Sequence, residues 1–145
     1  MNRYSLKSKE NLTQCHPDLQ LLFSMVLQSW DHTILVGHRT REAQIEAFVN
    51  GNSKLQWPAS KHNASPSRAV DVSPYPLPRN WGADDRDEYE KFRYFAFYVL
   101  GIADILYQLG EIGHFIRWGG DWDMDHDVSD QSFNDLVHFE LMETS

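Results

Sequence analysis

The sequence predicts an α+β domain in which a small antiparallel sheet is packed with about three helices. Apolar residues recur at helical spacing in separate segments, and short β-branched or apolar runs lie among them without a regular strand–helix alternation. The 145 residues and 41% hydrophobic content suit one compact domain spanning 1–145, with enough apolar surface for a real core.

Each element has its own signal. His16 to Trp30 opens with Pro17, a favoured first helical residue, and sets Leu19, Leu22, Phe23, Val26 and Trp30 on one face. Thr33-Ile34-Leu35-Val36 reads as a strand ending at Gly37. Thr40 caps a second helix through Phe48, with Glu42 in its first turn and Asn50-Gly51 as its stop. The corner between strand and helix carries His38 and Arg39. Asn52 to Trp81 is irregular, apart from the short run Ala69-Val70-Asp71-Val72. Asp85 and Glu88 begin a long helix whose Phe92, Phe95, Ala96, Val99, Ala103 and Leu106 share a stripe, and Gly110 ends it. Two further strand-like runs, His114 to Trp118 and Leu136 to Leu141, flank a very acidic loop.

Composition excludes several functions. The net charge of −8 argues against a general nucleic-acid binder and offers no polybasic handle for anionic membranes. Cys15 is the one cysteine, so no intramolecular disulfide forms. Met1 to Leu12 is polar and lacks the apolar core of a signal peptide, and charged or polar residues interrupt the most apolar stretch, Phe92 to Leu109. The expectation is a soluble monomer without stable membrane association.

Three polar residues stand among apolar or constrained neighbours. On a strand through Leu136 to Leu141, Val137, Phe139 and Leu141 point one way and His138 and Glu140 the other. Asp71 sits between Val70 and Val72, and His62 follows Ser60-Lys61 nine positions earlier. A His, an Asp and a distant His make a reasonable set of three zinc ligands, whose ion would lower the pKa of bound water and polarise a carbonyl. Spacing alone leaves the alternative open that His138 is a core or surface histidine and Asp71 a turn former.

The motifs Ser60-Lys61-His62, Ala69-Val70-Asp71 and Asp135-Leu136-Val137-His138 resemble those of zinc peptidases of the D-Ala-D-Ala carboxypeptidase type. Within that family the chain is most similar to the L-alanyl-D-glutamate endopeptidases used as phage endolysins. The resemblance extends over His16-Pro17-Asp18-Leu19-Gln20, Gly37-His38-Arg39-Thr40, Gln44, Trp118-Gly119-Gly120-Asp121-Trp122 and His138-Phe139-Glu140. It implies a Hedgehog/DD-peptidase-like fold, with His62, Asp71 and His138 holding Zn2+, Asp135 as general base and Arg39 as the group that polarises the substrate. The family has a glycine after the first histidine and a shorter path to the aspartate. Here Asn63 to Arg68 replaces that stretch, and the resemblance does not carry over the shape of the substrate-facing loop. Glu140 either orients a ligand or contacts substrate, or it is a solvated sheet residue, and Ser60 shapes the pocket beside His62. For Asp135 the plain alternative is a helix cap or turn residue, and for Arg39 an ion pair with Glu42. Trp118 and Trp122 read as core or rim packing.

Asp121, Asp123, Asp125, Asp127 and Asp130 alternate as the oxygen ligands of a Ca2+ loop do. The sixth position is His126 where an EF-hand needs glycine, and the twelfth is Ser132 rather than glutamate. A solvated acidic loop is favoured over a looser calcium site.

The function this implies is zinc-dependent hydrolysis of the peptidoglycan stem peptide between L-Ala and D-Glu. A D-Ala-D-Ala carboxypeptidase or dipeptidase, or a non-catalytic zinc-binding domain, is the alternative. By the same resemblance the enzyme is made in the host cytoplasm and reaches the wall through a separate pore-forming protein.

Overall fold

The Ser5 hydroxyl accepts the backbone N–H of Ser8 and starts a helix, α1 (Leu6–Thr13), that the polar N-terminal sequence does not announce. The structure is a computed structural model that describes residues 1–79 and 86–143; Trp81 and Asp85, named above, lie outside them. α1 buries Ser8, Asn11 and Leu12 rather than an apolar stripe. The Asn11 amide donates to the carbonyls of Ile34 (2.9 Å) and Leu35 (3.2 Å), and the Ser8 hydroxyl accepts from Ile34 N–H (3.1 Å). Hydrogen bonds to a distant strand therefore hold α1, which is why hydrophobic periodicity misses it.

α2 (Pro17–Leu27) has Pro17 in its first turn and His16 as cap, the His16 ring accepting from Asp18 N–H. It ends before Trp30, whose ring still packs edge-on against Phe95 at 5.7 Å. Then follow β1 (His32–Val36), α3 (Arg41–Val49), a 3-10 turn at Lys61–Asn63, β2 (Ala69–Pro74), α4 (Arg86–Gln108), β3 (Phe115–Gly119) and β4 (Asp135–Met142). The four strands form an antiparallel sheet in the order β1-β2-β4-β3, as an α+β chain predicts. α1 lies along β1, at the edge of that sheet.

The core lies between one sheet face and helices α2 and α4. All six residues of the α4 stripe are buried, alongside Leu19, Leu22, Phe23 and Val26 of α2 and Val70, Val72, Ile116, Trp118, Phe139 and Leu141 of the sheet. Burial of each large side chain contributes roughly 1.5–3 kcal/mol relative to exposure. Strand side chains alternate, so the residues between these core positions (Asp71 on β2, His138 and Glu140 on β4) face the other side of the sheet. Among the described residues no helix is long and apolar enough to cross a membrane.

Candidate metal centre and its cleft

Antiparallel pairing sets Asp71 of β2 directly opposite His138 of β4. The 3-10 turn brings in His62: the Ser60 hydroxyl accepts His62 N–H (3.2 Å), and the Asn63 side chain accepts Ser60 N–H (3.2 Å). His62 Nε2 is then 3.1 Å, and His138 Nδ1 3.3 Å, from the same oxygen, Asp71 Oδ1. All three side chains are buried.

The second nitrogen of each ring decides what this cluster can hold. His62 Nδ1 lies 2.8 Å from the carbonyl of Gly37, a pure acceptor, so that nitrogen carries the proton. His138 Nε2 lies 2.9 Å from Glu140 Oε1 and donates to it in the same way. In the neutral tautomers two imidazole lone pairs therefore face one carboxylate oxygen. Three acceptors cannot satisfy one another; a cation or an extra proton must lie between them. Ligand atoms about 2.0–2.1 Å from a tetrahedral ion are separated by about 3.3 Å, and the donor set of two nitrogens and one oxygen suits zinc. The residues present fit the metal that the sequence motifs imply.

Electrostatics follow the same contacts. With an extra proton on the rings in place of a cation, burial raises the Asp71 carboxyl, but the charge of His62 and hydrogen bonds from both histidines hold it well below the usual carboxylate range. Burial lowers the His138 imidazole, and its hydrogen bonds with Asp71 and Glu140 reverse that and push it up to about 9. Burial also raises Glu140, against which His138 and Lys61 bring it down to about 2. Asp135 goes the opposite way, pushed up to about 6 by burial and by the neighbouring Asp71 charge.

Two glycines allow these approaches. A Cβ on Gly37 would lie 2.1 Å from the Asn11 carbonyl oxygen, so only glycine presents its own carbonyl to His62. A Cβ on Gly119 would lie 2.1 Å from the carbonyl of Asp135, opposite it at an irregular point in the β3–β4 ladder. Gly119 thus lets Asp135 enter β4 beside the site.

The rest of the cleft surrounds this centre. Arg39, Lys54, Ser60, Arg117, Trp122 and Asp135 line, with His62 and His138, a cavity of about 250 Å³. Arg39 pairs with Asp71 Oδ2 at 3.5 Å and donates to Gln44 Oε1 at 3.1 Å, partners other than Glu42.

A model of the family described as phage L-alanyl-D-glutamate peptidase matches residues 1–142. The chain belongs to that family. The L-alanyl-D-glutamate peptidase of Escherichia phage T5 is 29% identical over 133 residues, covering 89% of this chain and 88% of its own length. The crystal structure of the Serratia marcescens L-Ala D-Glu endopeptidase ChiX superposes with a TM-score of 0.62 at 24% identity, over 97% of this chain and 90% of that one. That second likeness is one of fold.

In this phage-type peptidase several cleft residues have no signal in the sequence. Arg117, opposite Glu140 in the β3–β4 register, donates to Glu140 Oε2 (2.9 Å) and to the Trp122 carbonyl (3.1 Å). Lys61 meets the same carboxylate oxygen at 3.0 Å. Glu140 is only 5% exposed and clamped by two cations, so it is not a solvated sheet residue. Trp118 is core, while the Trp122 ring covers His138 at 5.6 Å. Asn63 to Arg68, which depart from the family pattern, are held by backbone bonds of Ser67 with Gln14 and His16 and by Asn63 donating to the Arg39 carbonyl.

The acidic loop gives Trp122 and Phe133 to this cleft, but its aspartates are not among the lining residues. Oxygens of Asp121, Asp123 and Asp125 come within 4.8 Å of one another, and Asp127 and Asp130 are exposed. Asp121 accepts the N–H groups of Asp125 and His126, and Asp127 accepts from Ser129, so bonds within the chain account for the loop's shape.

Proposed function

We propose that the chain hydrolyses the amide bond between L-alanine and D-glutamate in the peptidoglycan stem peptide, with zinc held by His62, Asp71 and His138. The observation that carries this reading is the convergence of His62 Nε2 and His138 Nδ1 on Asp71 Oδ1 inside a cleft that also holds Asp135 and Arg39. Family membership supports the bond and the substrate class.

Zinc bound there would supply a water of lowered pKa and polarisation of the scissile carbonyl. Asp135 takes the proton from the attacking water and passes it to the departing amide nitrogen. Its buried carboxyl beside Asp71 has the raised basicity this task needs. Arg39, fixed between Gln44 and Asp71, adds a permanent charge beside the oxygen that becomes negative. Glu140, gripped by Lys61 and Arg117, sets the His138 ring so that Nδ1 faces the metal position. The enzyme works as a monomer made in the host cytoplasm and delivered to the wall by a separate pore-forming protein.

The test combines elemental analysis with clearing of permeabilised Gram-negative cells, with and without chelator, and mass spectrometry of the released fragments. One zinc per chain, chelator-sensitive clearing and fragments ending at L-Ala are expected. Loss of terminal D-Ala alone would assign the carboxypeptidase reaction, and clearing without metal would remove zinc from the mechanism.

A further inference from the structure

We infer that Lys54 binds the free carboxylate of the glutamate at the scissile bond and gives the enzyme its preference for an acidic residue there. The inference rests on the proposed activity and concerns which residue reads the substrate. Three cationic side chains line the cleft. Arg39 is committed to Asp71 and Arg117 to Glu140. Lys54 has no carboxylate partner among the described residues; its ammonium lies over the Phe133 ring, 5.0 Å from the centroid. In a chain with net charge −8, an unpaired cation facing a cavity is positioned for an anion the chain does not supply.

The wall beneath Lys54 leads back to the metal centre. Phe133 lies parallel to Trp122, with 6.3 Å between centroids and 11° between planes, and Trp122 covers His138 at 5.6 Å. A substrate seated against these rings has its reacting carbonyl at the His138 end and its next charged group towards Lys54.

The substrate offers one anion near the bond. Alanine contributes only a methyl group. Glutamate contributes the amide nitrogen and two carboxyl groups, of which one continues the chain and the other is free and ionised at neutral pH. Capturing it with Arg39 or Arg117 would break an existing ion pair, whereas Lys54 gives up only a cation–π contact. A flexible ammonium also reaches a carboxylate on either branch of glutamate.

The test uses the zinc-loaded enzyme and two synthetic peptides, identical except that the free D-glutamate carboxylate is a carboxamide in one. Wild type is expected to prefer the carboxylate in kcat/KM on the order of tenfold, mainly through KM, as for one charge-assisted hydrogen bond. Lys54→Met and Lys54→Gln should bring that ratio near one, and Lys54→Arg should restore most of it; zinc content and melting temperature establish that each variant is folded. A wild type without preference, or a preference that survives in folded Lys54→Met or Lys54→Gln, overturns the inference alone. Cleavage of neither peptide by wild type overturns the proposed activity and this inference with it.

Discussion

His138 Nε2 lies 2.9 Å from Oε1 of Glu140, two residues along the same strand, while Lys61 and Arg117 hold the other oxygen of that carboxylate. A carboxylate fixed on both sides leaves the imidazole one orientation. Glu140→Ala should therefore weaken zinc binding roughly 10- to 100-fold, as loss of a ligand's hydrogen-bond partner does. Glu140→Gln, which keeps an acceptor, should lose less. Competition against a chelating dye measures both, and equal affinity in all three proteins would reduce Glu140 to a structural ion pair.

Asp135 lines the cleft without belonging to the cluster of three donors. Asp135→Ala is expected to keep one zinc per chain and lose at least about 100-fold in kcat, the usual contribution of a positioned general base. Turnover at the wild-type rate would take Asp135 out of the mechanism.

Gly37 connects the fold to the site, because its carbonyl holds His62 while its α-carbon abuts the Asn11 backbone. Gly37→Ala must push α1 away from β1 or displace the carbonyl. A loss of about 1–3 kcal/mol in urea unfolding is expected, accompanied by weaker zinc binding. A stable variant with full zinc affinity would show that α1 is free to shift.

His32 predicts a pH dependence away from the metal. Its Nδ1 lies 2.8 Å from the Trp30 carbonyl, Nε2 lies 2.5 Å from the Tyr4 hydroxyl, and Phe23 and Phe95 pack around the ring. Burial lowers its pKa from 6.5 to about 4, against the weaker opposing effects of the Trp30 carbonyl and Asp31. The unfolded chain then binds a proton that the folded chain refuses, so this contribution is intact above pH 6.5 and falls away between pH 6.5 and 4. The loss is about 3 kcal/mol. Urea unfolding of wild type and His32→Gln across that range should show the difference in stability shrinking as pH falls; a constant difference would mean that His32 is protonated in the folded state.

Much of the site was legible because it depends on near neighbours. Strand alternation separates His138 and Glu140 from Phe139 and Leu141 whatever the rest of the chain does, and the α4 stripe follows from helical spacing alone. The ordered motifs around His62, Asp71, Asp135 and His138 carried the family. What could not be read depends on residues far apart in sequence. α1 is held by polar contacts to β1, more than twenty residues away, and has no apolar period to reveal it. The clamp on Glu140 joins it to Arg117 across 23 positions and to Lys61 across a longer span, and only the strand register and the 3-10 turn bring them together. The amino-acid sequence by itself determined which side chains face one side of each strand and which chemistry they offer. Tertiary structure alone decided which charges meet, because pairing consumes the cations at Arg39, Lys61 and Arg117 and leaves Lys54 in the cleft without an acidic partner among the described residues.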